Sequence, residues 1–396
     1  MRICLITATF PPLIGGAESY AVSFAAGMSG RGHVVTVVTD GWNKSGLSAS
    51  EIATLDARLP ARVVRLADYA KLFERDGIIP WEVLAFGLTR ELATALEDTA
   101  LDIVVSNSLD TAWTAKLLAL ARGIPWAATF HEQTPEADPF GPARLKLVYQ
   151  VLHPDLVLAG SRFYTARAQA QGRSEATVCI VHGIDTVRFR PDPDRAAARQ
   201  ARGLPEHDVI LLCAARLTPR KGIPDLLSAV AELWPKWLRL RLVVAGTVNS
   251  SDRQYADFLR AEATRLGIAE RVTFDETARP DDMPRLFAAA DLVVQPSHAE
   301  GLGLVVLEAM SCGRAVVTTD IPATAEITGG REVLLTCHPG DVAGLAGAIA
   351  ALLADHERRA ALESAGRQHV LRRFSRDIMM SQTERALVGA IRASRQ

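Results

Sequence analysis

Two carboxylates eight residues apart, in Glu300-Gly301-Leu302-Gly303-Leu304-Val305-Val306-Leu307-Glu308, carry the densest chemical information in this chain. Glu308 lies among Leu307, Ala309 and Met310 in a stretch that predicts a buried helix, where an unpaired carboxylate is costly. It therefore needs hydrogen-bond donors. A ribose diol supplies two, and an ion pair with Arg314 is the alternative. At the predicted helix start, the backbone N–H groups of Gly303 and Leu304 can hold a sugar hydroxyl or a phosphate oxygen, with Gly303 keeping the approach open. Arg216 and Lys221 follow the apolar run Val209–Ala214, and a guanidinium fork beside an ammonium suits a diphosphate. The chain has only six lysines, so one at this position is informative. Arg220, between them, reads as part of a solvated basic turn. A third element follows the first apolar run, where Gly15 and Gly16 open a predicted amphipathic helix and let backbone amides approach a phosphate. A tight turn is the plainer alternative. The loop is not a dinucleotide fingerprint, because it is long, contains Pro11-Pro12 and lacks the G-x-G-x-x-G order.

These residues need strands to position them. Short β-branched runs alternate with Ala/Leu-rich helical stretches throughout, which predicts an α/β fold of doubly wound parallel sheets. Strands are expected at Arg2–Thr7, Val34–Thr39, Arg62–Leu66, Ile103–Ser106, Trp126–Thr129, Leu156–Ala159 and Val178–Val181. A charged, Pro-rich stretch follows at Arg188–Pro205. The pattern then restarts at Val209–Ala214, Leu240–Ala245, Val272–Phe274, Leu292–Gln295, Val316–Thr319 and Val333–Leu335. Two Rossmann-like domains are expected, 1–187 with 375–396 and 188–374, facing an interdomain cleft at the carboxyl ends of their strands.

Taken together, the Glu-x7-Glu element, the Arg-x4-Lys pair and the glycine loop resemble retaining glycosyltransferases of family 4, which have the GT-B architecture. The likeness runs over nearly the whole chain. It implies a nucleotide-diphosphate sugar donor held mainly by the second domain, with Glu308 on the ribose and Arg216 and Lys221 on the diphosphate. Glu300 would approach the transferred sugar, and Gly16 would add a backbone contact from across the cleft. His131, in Ala128-Thr129-Phe130-His131-Glu132, matches the family's histidine near the donor sugar. Leu158–Arg162 resembles the family's strand-to-serine turn. Val181–Phe189 resembles its Asn-Gly-Val-Asp segment, with His182 in place of asparagine, and Phe374–Ile391 matches its returning C-terminal helix. The base would be read by backbone groups near Thr277, Ala278 and Arg279.

The implied activity is transfer of a hexosyl group to an acceptor hydroxyl or amine with retention of configuration. No obligate nucleophile stands out, which accords with front-face attack in which the departing phosphate takes the acceptor proton. No metal and no cofactor are expected: the one conspicuous Asp-x-Asp, Asp192-Pro193-Asp194, falls in the linker. Trp42, Pro139 and Phe140 in the loops Gly41–Ser50 and Gln133–Pro142 suggest a partly apolar acceptor, a cell-envelope glycan or lipid or a small natural product. A net charge of −1 argues against nucleic acid as a partner. Arg58, Arg62, Arg65, Lys71 and Arg75 leave room for weak peripheral membrane contact, although Asp56, Asp68 and Glu74 interrupt them. Five scattered cysteines and the lack of an apolar leader point to a cytoplasmic protein. Three rivals remain at this level. A nicotinamide oxidoreductase would use Gly301-x-Gly303 and Asp320, but Val306 stands at the third glycine. A nucleotide-sugar epimerase shares the architecture. A non-catalytic nucleotide-sugar sensor would be expected to lose the charges at Arg216, Lys221, Glu300 and Glu308, all present here.

Overall fold

The structure, a computed structural model, describes residues 1–13, 15–40, 47–66, 89–131, 141–246, 248 and 253–396. Trp42, Pro139 and Phe140, with most of the two loops that carry them, lie outside the described residues, as do Asp68, Lys71, Glu74 and Arg75. The chain divides into two compact units, Met1–His182 with Arg376–Gln396, and Gly183–Ser375. The junctions fall at 182–183 and 375–376 rather than at the expected 187–188 and 374–375. The cause is local: Ile184 N donates to Phe374 O at 2.8 Å and Ile184 bridges Ser375, so both stretches belong to one body.

In the first unit seven parallel strands run in the order β3-β2-β1-β4-β5-β6-β7. They are β1 Arg2–Thr7, β2 Val34–Asp40, β3 Arg62–Leu66, β4 Ile103–Ser106, β5 Trp126–Ala128, β6 Leu156–Ala159 and β7 Thr177–Cys179. Because side chains alternate across a strand, Cys4 and Ile6 join Val38, Val104 and Trp126 on one face, while Ile3 and Leu5 join Val37, Val105 and Leu158 on the other. Helix Gly16–Gly30 covers the second face with Phe24 and Met28, and helix Arg376–Ala393 completes it with Met379, Met380 and Leu387. The two helices lie close: a Cβ on Gly27 would sit 2.4 Å from Met380 Cγ.

The second unit has six parallel strands, β8 Val209–Ala214, β9 Leu240–Ala245, β10 Val272–Asp275, β11 Leu292–Gln295, β12 Ala315–Thr319 and β13 Leu335–Cys337. Their order is β10-β9-β8-β11-β12-β13. Helix Ile223–Leu233 buries Leu226, Leu227 and Val230 against Leu211, Leu242 and Val294, and helix Val342–Ala354 packs Leu345, Ile349 and Leu352 into the same core. The last strand begins two residues later than expected. Val333 and Leu334 are buried and apolar, but pairing with β12 starts only at Leu335.

Each sheet has its switch point between two neighbouring central strands, β1 and β4 in one, β8 and β11 in the other, where successive connections leave in opposite directions. An aspartate closes the amino-terminal end of each. Asp102 accepts Arg2 N at 2.8 Å and Arg2 Nη2 at 2.6 Å. Asp291 accepts Ile210 N and Arg199 Nη2, both at 2.7 Å, and the buried Arg199 also donates to Ala289 O and Asp208 O at 3.0 Å. Asp291→Ala leaves that guanidinium without its counter-ion, and the expected outcome is a loss of roughly 3–5 kcal/mol, read from urea unfolding; a loss indistinguishable from zero would show that the carbonyls suffice.

Candidate active site

The carboxyl ends of β8 and β11 assemble most of the chemistry-bearing residues of the second unit. Gln295 closes the gap between these strands, its Nε2 donating to Ala214 O at 2.8 Å. The β8 connection then turns through Lys221 and Gly222, and Gly222 has a positive φ of 62°. A Cβ there would sit 2.0 Å from Pro296 O, so only glycine lets the two connections lie against each other. His298 N donates to Arg220 O at 2.8 Å across the same seam. The result brings Lys221 Nζ to 2.5 Å from Glu300 Oε1, with Arg220 Nη1 3.2 Å from Oε2 and Ser297 Oγ donating to Oε1 at 2.8 Å. Burial alone would raise the Glu300 pKa; the Lys221 charge and hydrogen bond, then Arg220 and Ser297, outweigh it and hold the carboxyl below its ordinary range. Arg220 is thus a partner of Glu300 and not a solvated turn residue. Arg216 stands exposed, outside this cluster.

Gly303 begins helix Leu304–Ser311 with φ 91° and ψ 58°, a left-handed conformation that favours glycine. The nearest atom to a Cβ there would be Ile327 Cδ1 at 3.7 Å, so it is backbone conformation and not crowding that demands glycine. Glu308 lies one helical stretch on. The Arg314 pairing is not realised: Arg314 Nη1 donates to Ala290 O at 3.2 Å, and the carboxylates acting on Arg314 are Glu363 and, less strongly, Asp291. Burial dominates at Glu308 and pushes its pKa up to about 8, with Arg188 opposing weakly. The unit therefore holds two carboxyl groups of opposite character, Glu300 ionised and ion-paired, Glu308 with its pKa raised and no ion pair among the described residues. Beyond β10, Thr277 N and Oγ1 donate to Asp275 Oδ1 at 3.1 and 2.7 Å, and Ala278 is buried behind it. Gly246, after β9, would place a Cβ 2.0 Å from Ala215 O. Asp320 is held by His338 Nδ1 at 2.6 Å.

In the first unit the same strand edge gathers the glycine loop and His131. Gly15 is extended, with φ −177°, and a Cβ there would meet the Glu18 carboxylate at 2.3 Å, whereas a Cβ on Gly16 would meet nothing within 4 Å. Glu18 accepts Thr9 Oγ1. His131 Nε2 lies 2.8 Å from Asn107 Oδ1, and its ring stands 4.8 Å from Tyr20 and 5.1 Å from His182 between centroids. Burial, then His182 and Arg167, lower the His131 pKa well below the usual histidine range, and burial lowers His182 to about 4. Gly160 makes room for that second ring, since a Cβ there would sit 1.7 Å from His182 Nε2. Sequence reasoning missed Arg220 and Ser297 as partners of Glu300, Gly222 as the packing glycine, and Asn107 and Tyr20 beside His131. The signal available for Gly222 was its place directly after Lys221 and before a helix.

Two adjoining family models match the chain: Glycosyltransferase Family 4 over residues 14–188 and Glycosyl transferases group 1 over 194–369. The GDP-mannose-dependent alpha-(1-6)-phosphatidylinositol monomannoside mannosyltransferase of Mycolicibacterium smegmatis is 32% identical over 394 residues, covering 93% of each chain. The chain belongs to glycosyltransferase family 4. It is an enzyme of the glycosyltransferase class, and the oxidoreductase, epimerase and sensor alternatives fall away. The D-inositol 3-phosphate glycosyltransferase of Nocardia farcinica is 38% identical over a shorter stretch, 44% of this chain and 39% of that one. In fold, the family member resembles Anabaena HepE solved with UDP-glucose, at a TM-score of 0.80, 23% identity and coverage of 98% of this chain and 99% of that one. This likeness confirms two parallel-sheet Rossmann-like domains of GT-B type. Among the described residues no helix is long and apolar enough to cross a membrane. Of the basic residues considered for membrane contact, Arg65 is held by Asp56 through two 2.8 Å bonds and Arg62 donates to Thr99 at 3.0 Å.

The character of Glu308 has a thermodynamic signature. Between the ordinary value of 4.5 and about 8 the folded protein keeps a proton that the unfolded chain has lost. The associated stability is complete below 4.5 and drains away as pH rises through 8. Glu308→Gln, which cannot ionise, is expected to match the parent near pH 4.5 and to be more stable above about pH 8 by on the order of 2 kcal/mol. Urea unfolding at the two pH values checks this, and identical pH dependence in the two proteins would mean that Glu308 is ionised in the fold.

Proposed function

We propose that the enzyme transfers a hexosyl group from a nucleotide-diphosphate sugar, with GDP-mannose the first donor to test, to a lipid-linked or cell-envelope glycan, with retention and without a metal ion. The observation that carries the donor site is Glu308, a half-buried carboxyl that forms no ion pair among the described residues, eight residues from an ion-paired one. A ribose diol would donate to both Glu308 oxygens and stabilise the charged form that burial disfavours. Arg216 and Lys221 would receive the diphosphate, the exposed guanidinium as a fork and the ammonium as a point charge. The N–H groups of Gly303 and Leu304 open an eight-residue helix and would hold an oxygen of the phosphate or the transferred sugar. Thr277 and Ala278 would border the base, and the amides of Gly15 and Gly16 would serve the phosphate side of the sugar. Gly16 has open space where a side chain would stand, which is compatible with close backbone approach by a ligand.

Departure of the diphosphate builds negative charge on its oxygens, and each charge-assisted hydrogen bond to it contributes roughly 1.5–3 kcal/mol. Glu300 and His131 would orient the transferred hexose. Lys221 already holds Glu300, so binding of a diphosphate would redistribute that ammonium between two anions. Support for metal-independence comes from the linker aspartates: Asp192 accepts Asp194 N at 2.9 Å and Asp194 caps helix Arg195–Gln200 through Ala197 N at 2.9 Å. Both carboxylates thus serve the backbone. The choice of GDP-mannose and a lipid-linked acceptor rests on the names of the relatives that match nearly the whole chain, in Mycolicibacterium smegmatis and in Mycobacterium tuberculosis, the latter at 29% identity over 96% of each chain.

Thermal shifts with GDP-, UDP-, ADP- and TDP-sugars in EDTA test the proposal directly, since a ligand of the folded state raises its melting temperature. GDP-mannose is expected to stabilise the enzyme and Glu308→Ala to lose the effect. Stabilisation by a UDP-sugar instead would move the donor to the class bound by HepE. No shift with any donor, in a protein that unfolds cooperatively, would refute the assignment of Glu308 and its neighbours to the donor.

A further inference from the structure

One guanidinium joins the two ends of the turn that follows β10. Arg202 Nη1 donates to Asp275 Oδ2 at 2.9 Å, and Arg202 Nη2 meets Asp282 Oδ1 at 2.6 Å. Each carboxylate gives its second oxygen to the backbone between them: Asp275 Oδ1 accepts Thr277 N at 3.1 Å, and Asp282 Oδ2 accepts Arg279 N at 2.9 Å. Burial pushes the Asp282 pKa up, but the Arg279 N–H and then Arg202 outweigh it and hold the carboxyl below its ordinary range. Arg202 is itself fixed to the core, since its N–H donates at 3.0 Å to the carbonyl of Arg199, the buried arginine beside Asp291. Arg188, from the same stretch, reaches the far side of the turn, with Nη2 donating to Pro280 O and lying 3.1 Å from Asp281 Oδ1.

This arrangement sorts the backbone groups of the turn. The N–H groups of Thr277 and Arg279 are taken by carboxylates, and that of Ala278 is left between them. Among the described residues no hydrogen bond engages the Ala278 N–H or the carbonyls of Thr277 and Ala278. Ala278 is only 5% exposed, and a backbone N–H in a buried residue is rarely without a partner. A ligand reaching the turn would meet one amide donor flanked by carbonyl acceptors, which complements the donors and acceptors along the edge of a nucleobase. We infer that Arg202 is a specificity-determining positioning residue: by joining Asp275 to Asp282 it holds the Ala278 backbone in the conformation that selects among nucleotide bases. That role presupposes the place given to Thr277 and Ala278 beside the base in the proposed function. Backbone groups discriminate only when their directions are fixed, because a wrong base then leaves buried donors or acceptors unpaired. A guanidinium suits the task, since its planar fork sets the angle between two carboxylates and a rotating ammonium does not.

Calorimetric titration of the full chain with GDP, UDP, ADP and TDP, and with inorganic pyrophosphate as a probe that lacks the base, tests the assignment. The parent is expected to prefer one nucleoside diphosphate by about tenfold or more, and Arg202→Ala to bring all four within about threefold of one another. Pyrophosphate affinity should stay within about twofold of the parent, because Arg216 and Lys221 are untouched. Arg202→Lys keeps the charge and is expected to fold as the parent does while losing the preference, so it decides the matter if Arg202→Ala does not unfold cooperatively. Arg241→Ala, which removes an ion pair with Asp208 at 2.5 Å near the amino-terminal end of the same sheet, should lower stability and leave the preference where it was. An unaltered preference in Arg202→Ala and Arg202→Lys would overturn the inference and leave the donor site standing. So would equal losses for pyrophosphate and for the preferred nucleotide, which would reduce Arg202 to a general support of the fold. Equal binding of all four nucleotides by the parent would also overturn it, whereas binding of none would refute the donor site as well.

Discussion

A parallel sheet has to send its chain back across one face or the other after every strand, and where two neighbouring strands are followed in opposite directions a crevice opens that no connection covers. Both units place that break between their two central strands, β1 beside β4 and β8 beside β11. The carboxyl ends there would leave backbone groups exposed to each other across the gap. Side-chain amides bridge them: Gln295 reaches Ala214 O in one sheet, and Asn107 reaches Thr7 Oγ1 in the other. At the opposite ends Asp291 and Asp102 take backbone N–H groups of the neighbouring strand. The carboxyl edge is therefore the one finished with neutral amides, and the amino edge the one finished with salt bridges.

Electrostatics then differentiates residues of the same type. Glu300 is surrounded by Lys221, Arg220 and Ser297, and these reverse the effect of its burial. Glu308, on the helix that follows, is half-buried without such company, and its pKa is pushed up to about 8. The same contrast separates the histidines. The pKa values of His131 and His182 are both lowered at the carboxyl edge of the first sheet, but His131, half-buried, is hydrogen-bonded to Asn107 while the buried His182 rests on Gly160.

Much of this was legible in the sequence because it is local. β-Branched runs set β1, β4, β8, β9 and β11 with their observed ends, and a Lys beside a Gly at a strand end, or a Glu amid apolar helix residues, is informative in one dimension. What escaped was pairing at a distance. Arg220 meets Glu300 across 80 residues, and nothing near Arg220 distinguishes it from a surface turn. Asn107, between Ser106 and Ser108, reads as an ordinary polar turn until β1 and β4 become neighbours. Edge strands slipped as well: Val178–Val181 was expected where the ladder spans Thr177–Cys179, since an edge strand pairs on one side only and its apolar pattern is weaker.

The helix Arg376–Ala393 completes the unit that begins at Met1, packing Met380 over Gly27 and joining Arg31 and His33 through Glu384. During synthesis the first unit is thus made in two instalments, separated by the whole of the second. The face formed by Phe24 and Met28 stays uncovered until the helix Arg376–Ala393 has been made. The second unit is a continuous stretch and has all its own strands before then. Order of synthesis and order of completion are therefore reversed, and the unit translated first is the one that waits.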